Sequence, residues 1–109
     1  MNLSKSDKKI ARILIDKGVI VEKTALFLQL EQTLADWRSG KKDVQHTYAT
    51  IYGQVGDKDK AIARRYNGLG GSRYFLAVLQ LFHEGILSDA DIADFSEKVR
   101  AEIELWQSR

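Results

Sequence analysis

Arg64-Arg65-Tyr66 and Ser72-Arg73-Tyr74 bracket a loop that holds Gly68, Gly70 and Gly71. Nowhere else does the chain combine glycines that let backbone approach a ligand, a helix start and a cluster of guanidiniums. The chemistry such a set could do is anion binding. N–H groups at a helix N-terminus and the helix dipole favour negative charge, and arginine forks suit phosphate. Tyr66 and Tyr74 add rings of the kind that stack on single-stranded nucleic acid. The named phosphate motifs, however, are not met. A Walker loop needs Gly-x-x-x-x-Gly-Lys-Ser/Thr after a strand. The order here is Gly68-Leu69-Gly70-Gly71-Ser72-Arg73, without lysine. A dinucleotide fingerprint needs a third glycine where Arg73 stands. The simpler reading, and the preferred one, is a tight turn between two close-packed helices with the tyrosines at a core edge. Under it, Gly70 takes left-handed backbone angles that a β-branched residue resists.

A second basic group lies at the start of the chain, where Lys5, Lys8, Lys9 and Arg12 fall at helical spacing. The candidate anion or nucleic-acid contacts are therefore Lys5, Lys9, Arg12, Arg64, Arg65, Gly70, Gly71, Ser72 and Arg73. The plainer alternative is a set of solvated helix faces.

Other chemistries are excluded one by one. His46 and His83 sit on different expected helices, and neither has His, Asp or Glu four residues away, so no metal site is expected. Asp57-Lys58-Asp59 and Asp89-Ala90-Asp91 open like calcium loops. The sixth and twelfth positions then read Ile62 and Gly68, or Asp94 and Arg100, instead of glycine and glutamate. There is no cysteine, and no serine sits in Gly-x-Ser-x-Gly. The acids crowd onto the last helix at i, i+4 spacing with lysine and arginine, a solvated pattern. No catalytic residue and no cofactor is expected; a deep pocket lined by Tyr48, Tyr52 or His46 would reopen the question.

Composition bounds the rest. The 109 residues suit one ordinary domain, and 44% hydrophobic with 29% charged is a globular balance. The net charge of +2 is small but unevenly spread. Residues 58–74 set five cations against Asp59 alone, and residues 84–105 set seven acids against Lys98 and Arg100. No signal peptide is expected, because Asp16 and Lys17 cut the first apolar run. The longest nearly uncharged stretch, Tyr74 to His83, is about half the ~20 residues of a membrane span, so no membrane partner is expected.

Apolar residues recur at 3.6 spacing, proline is absent and glycines mark the breaks, so an all-α fold is expected: one compact domain, residues 1–109, of five or six helices. The first runs from a cap at Ser4 or Ser6 to Gly18, with Ile10, Ile13 and Leu14 inward. The second runs from Val21 to Ser39 and ends at Gly40. Ile20, Phe27, Leu30, Leu34 and Trp37 make one apolar face on it, and Val21, Ala25, Leu28 and Ala35 a second. A stripe that wide predicts a helix covered on two sides. The third begins at an Asp43 cap and carries Val44, Tyr48, Ile51, Tyr52 and Val55, with Gly53 marking a kink or a tight crossing. Gly56-Asp57 then breaks the pattern before a short helix over Lys58 to Tyr66. Ser72 caps a nearly all-apolar helix that closes at Gly85. Ser88 with Asp91 opens the last helix as a capping box, sending Ile92, Phe95, Val99, Ile103 and Trp106 inward. The expected core is Leu30, Leu34, Phe75, Leu79 and Phe82, with Phe95, Val99 and Trp106 packed across it. The acidic last helix is unlike a DNA-reading helix, which is basic.

The function expected of such a chain is non-enzymatic. It is a cytoplasmic helical domain that binds another protein, as an adaptor, inhibitor, regulator or complex subunit. The alternative is a nucleic-acid-binding module, or a subunit of a nucleoprotein complex, that uses the basic residues named above.

Overall fold

A computed structural model describes residues 1–108, among which lie five helices and no strand. They are α1 (Lys5–Arg38), α2 (Val44–Tyr66), α3 (Arg73–His83), α4 (Asp89–Ile92) and α5 (Glu97–Gln107). The chain packs as two compact units. One comprises Met1–Val19 with the chain from Gly68 onward, and the other is Ile20–Asn67.

The first unit holds nearly all of the buried apolar side chains. α1 enters it through Ser4, whose hydroxyl accepts the Asp7 N–H at 3.2 Å. Leu3, Asp7, Ala11, Leu14, Ile15 and Gly18 then face inward at steps of three and four. Ile13 does not share this face. Two residues from Ala11, it is rotated outward and is 65% exposed. α3 buries Phe75, Ala77, Val78 and Leu81 and packs against α5, which buries Val99 and Ile103. Leu79 and Phe82, expected at the centre, are only half-buried. Trp106 is exposed, one turn beyond Ile103 where α5 ends.

The expected last helix is two helices. The capping box at Ser88 and Asp91 forms with both hydrogen bonds, but α4 stops at Ile92. Chain 93–96 then turns so that Phe95 enters the core and Ser96 meets Asp7. Asp91 also takes Lys17 of α1 at 2.7 Å. That hydrogen bond, with the Ser88 N–H, holds its carboxyl below the usual range. Tertiary hydrogen bonds here override a local sequence that suits one continuous helix.

The second unit is an antiparallel hairpin of the second half of α1 and all of α2. Thr33 Oγ1 donates to Gln54 Oε1 at 3.0 Å, and Arg65 meets Glu22 at 3.2 Å. The two partners are eleven residues further from the turn on both helices, so the two contacts fix one register. At the turn, Gly40 takes φ +85 and the Asp43 carboxylate accepts the His46 N–H at 2.7 Å.

Two expected helix breaks are absent. Gly18 lies buried inside α1, and Gly56-Asp57 lies inside α2, neither glycine with a left-handed φ. A helical glycine costs about 1 kcal/mol relative to alanine, too little to interrupt helices held by their neighbours. A methyl group added at Gly53 or Gly56 would meet nothing within 4 Å, so neither marks a close crossing.

Candidate functional site

The glycine loop closes α2 and opens α3, with Gly68 at φ +70 and Gly71 at φ +52. Gly70, the residue expected in the left-handed region, is not there. Ser72 occupies the cap position of α3, but its side chain makes no capping hydrogen bond and its backbone is already helical. Arg73 is exposed and its Nη1 donates to the Gly68 carbonyl at 3.4 Å, a contact that folds the side chain back over the loop.

The nine candidate residues fall in both units. Arg64 and Arg65 belong to the hairpin, while the loop and the start of α1 belong to the first unit. Arg64 is exposed; Arg65 is half-buried with Glu22. Beside that pair, burial pushes the Tyr66 hydroxyl above its usual range, with Arg65 partly opposing. Lys5, Lys9 and Arg12 are exposed on α1. Within the first unit, cations converge at Tyr74, which follows Arg73. Lys8 Nζ lies 5.6 Å and Arg12 Cζ 5.5 Å from its ring centroid, within cation–π range. The ring that could stack on a base is thus already engaged by the chain's own cations. Local charge density and ring spacing were legible in the sequence, but this engagement depends on α1 and α3 meeting.

The larger feature is on the hairpin. Among the described residues of that unit only Leu26 and Thr47 are buried. Phe27 is 59% exposed, Tyr48 69% and Tyr52 75%, with Leu34 at 42% and Trp37 at 41%. Leu34 was expected in the core and is not. Leu34, Trp37, Tyr48 and Tyr52 border one groove, and Phe27 lies two turns before Leu34 on α1. A cavity of about 540 Å³ runs along Tyr48, Ile51, Tyr52, Val55 and Gly56, closed at one end by Asp59 and Lys60. It continues through Tyr48 and Ile51 into a hollow of about 200 Å³ that reaches Leu34, Trp37 and Val44. The α2 residues here include the apolar stripe that the sequence carries at helical spacing. The periodicity was right, but nothing in the sequence showed that α1 alone cannot cover them.

The groove includes Tyr48 and Tyr52, the residues whose pocket would have suggested catalysis. Both rings are largely in solvent, His46 does not line it, and Asp59 and Lys60 are its charged lining groups. Among the described residues no three His, Asp or Glu side chains gather closely enough to hold a metal ion, and no helix is long and apolar enough to cross a membrane. Comparison with protein-family models, with curated proteins and with solved structures finds no match for the chain.

Proposed function

We propose that this chain works by binding protein, not by catalysis, and that the apolar face of the hairpin is its contact surface. It would serve as an adaptor, inhibitor, regulator or complex subunit, in the cytoplasm. The observation that carries the reading is the row of large exposed side chains, Leu34, Trp37, Tyr48 and Tyr52, along one groove, with Phe27 exposed two turns before Leu34 on α1. Single exposed apolar residues are ordinary, whereas a contiguous patch rich in aromatics marks an interaction site. The hairpin also needs cover. A unit of this size with two buried side chains lacks the core to hold itself together.

One observation favours the nucleic-acid reading: Lys8 and Arg12 gather at Tyr74, next to Arg73. Against it, the ring is occupied and Arg65 is paired with Glu22. The protein-binding reading rests on more surface and is preferred.

A photoreactive phenylalanine analogue in place of Tyr52 tests it in cells. Cross-links to a polypeptide, abolished by Phe27→Glu, are expected. A probe that reacts only with solvent would sink the reading.

A further inference from the structure

We infer that the occupant of the hairpin face is a second copy of this chain, so that two hairpins close into one four-helix bundle. The inference rests on the reading of that face as a protein-binding surface and goes on to name what covers it.

The spacing of the residues left exposed or half-buried carries the argument. On α1, Ile20, Phe27 and Leu34 recur every seven residues, and Leu30 and Trp37 follow three residues after Phe27 and Leu34. On α2, Val44, Tyr48, Ile51 and Val55 alternate steps of four and three, and the series continues through Lys58 to Ile62. Alternating threes and fours form the seam by which one helix seats its side chains between those of another. Leu34 and Trp37 of α1 and Val44, Thr47, Tyr48 and Ile51 of α2 line the same hollow, so both seams open on one side of the hairpin. Two antiparallel helices with seams on one common side are half of a four-helix bundle.

Area and charge point to a copy of the same hairpin. Phe27, Trp37, Tyr48 and Tyr52 expose about 500 Å² between them, taking ~200 Å² for each whole ring residue. Ile20, Leu34, Val44 and Val55, all exposed, supply much of what remains of the ~800 Å² per partner that a stable interface buries. A second copy presents the same seam and an equal area, which is the condition for a two-fold, self-complementary contact. No lysine, arginine, aspartate or glutamate occurs from Val44 to Gly56. The lysines on the seam, Lys23 and Lys58, are matched by Glu31 and Asp59 on its flank, so a two-fold copy can set cations against carboxylates.

Sedimentation equilibrium of the purified chain at about 100 µM is the test, a concentration that fills even a micromolar dimer. Twice the chain mass is expected for the parent, and the single mass for Leu34→Glu combined with Val55→Glu. If that variant has lost its helical dichroism, Tyr52→Lys replaces it and must raise the dimer dissociation constant at least about tenfold. A monomeric parent overturns the inference. So does a dimer indifferent to these changes, or one that Leu76→Glu in the first unit dissolves instead. A monomer whose position-52 probe cross-links to a different polypeptide overturns the second copy and leaves the protein-binding reading standing. A monomer without cross-links removes both.

Discussion

Asp7, in the first turn of α1, accepts two hydrogen bonds from Ser96, the residue that opens α5. The Ser96 N–H lies 2.9 Å from Oδ1 and its hydroxyl 2.7 Å from Oδ2. Ser4 adds a third donor at 3.0 Å. The carboxylate thus serves two helix starts, since Ser96 makes no cap of its own. It also places negative charge at the positive end of the α5 dipole. Burial alone would raise the Asp7 pKa, but the Ser96 N–H, the Ser96 hydroxyl and Ser4 outweigh it and hold the carboxyl below its usual range.

Replacing Asp7 by Asn keeps the shape but removes the charge and sets an NH2 where an acceptor is needed. Hydrogen bonds to charged groups are worth about 1.5–3 kcal/mol each, partly shared here, so a loss of about 2 kcal/mol is expected in urea unfolding. Ser96→Ala, which keeps the N–H, should lose less. The pH profile gives the sign. The folded pKa lies below the unfolded one, so this stabilisation is complete above about pH 4 and is lost as pH falls through the folded value. Asp7→Asn should therefore have a shallower acid limb than the parent. It should not be flat, because Asp91 is also held low by Lys17 and Ser88. An unchanged acid limb would remove Asp7 from the account.

Leu81 and Ile13 separate the core from the surface of the first unit. Leu81 is fully buried in α3, and truncation to alanine should cost about 2–5 kcal/mol. Ile13, mostly exposed on α1, should cost within about 0.5 kcal/mol when truncated. Chemical unfolding of both variants checks the pair. Equal costs would mean that Ile13 is covered.

These positions also show what the sequence could reveal. The Ser4 and Asp43 caps, the Gly40 and Gly85 ends and the Ser88–Asp91 box are set by neighbours within a few residues, and each is visible in the chain. Ile13 was misplaced because a helix has several apolar flanks and only packing selects one. Gly18 and Gly56 do not stop their helices, because propensity is a weak force against the helix on either side. Ser96 breaks the last helix for the sake of a carboxylate 89 residues away, which no local pattern announces. On the hairpin, the double apolar face of α1 was legible, and so was the α2 stripe. That they remain open together was not, since it depends on how much area one hairpin can bury by itself.

The glycine loop is expected to behave as a turn with two strained positions. Gly68 and Gly71 hold left-handed angles, and a side chain at Gly71 would also approach Asn2 Oδ1 at 3.6 Å. Valine at either should lower stability by more than about 1 kcal/mol, because β-branched residues resist that region. Gly70→Ala, with open space and ordinary angles, should be neutral or slightly stabilising. Melting temperatures of the three variants decide it. A destabilising Gly70→Ala beside a silent Gly71→Val would reverse the assignment.

The last expectation concerns the basic cluster at Tyr74. Phosphate binding displaces counterions, so each contact adds about 0.7–0.9 to the slope of log affinity against log salt. Lys8 and Arg12 are engaged by Tyr74, Arg73 by the Gly68 carbonyl, and Arg65 by Glu22. Binding would have to displace these contacts, which leaves only Lys5, Lys9 and Arg64 exposed and unengaged among the candidate cations. Labelled single-stranded oligonucleotide titrated with the parent protein at about 50 mM salt should therefore give a flat curve. Saturable, salt-sensitive binding that weakens in the Arg12→Ala, Arg73→Ala double variant, with the melting temperature unchanged, would transfer the function from the hairpin face to this cluster.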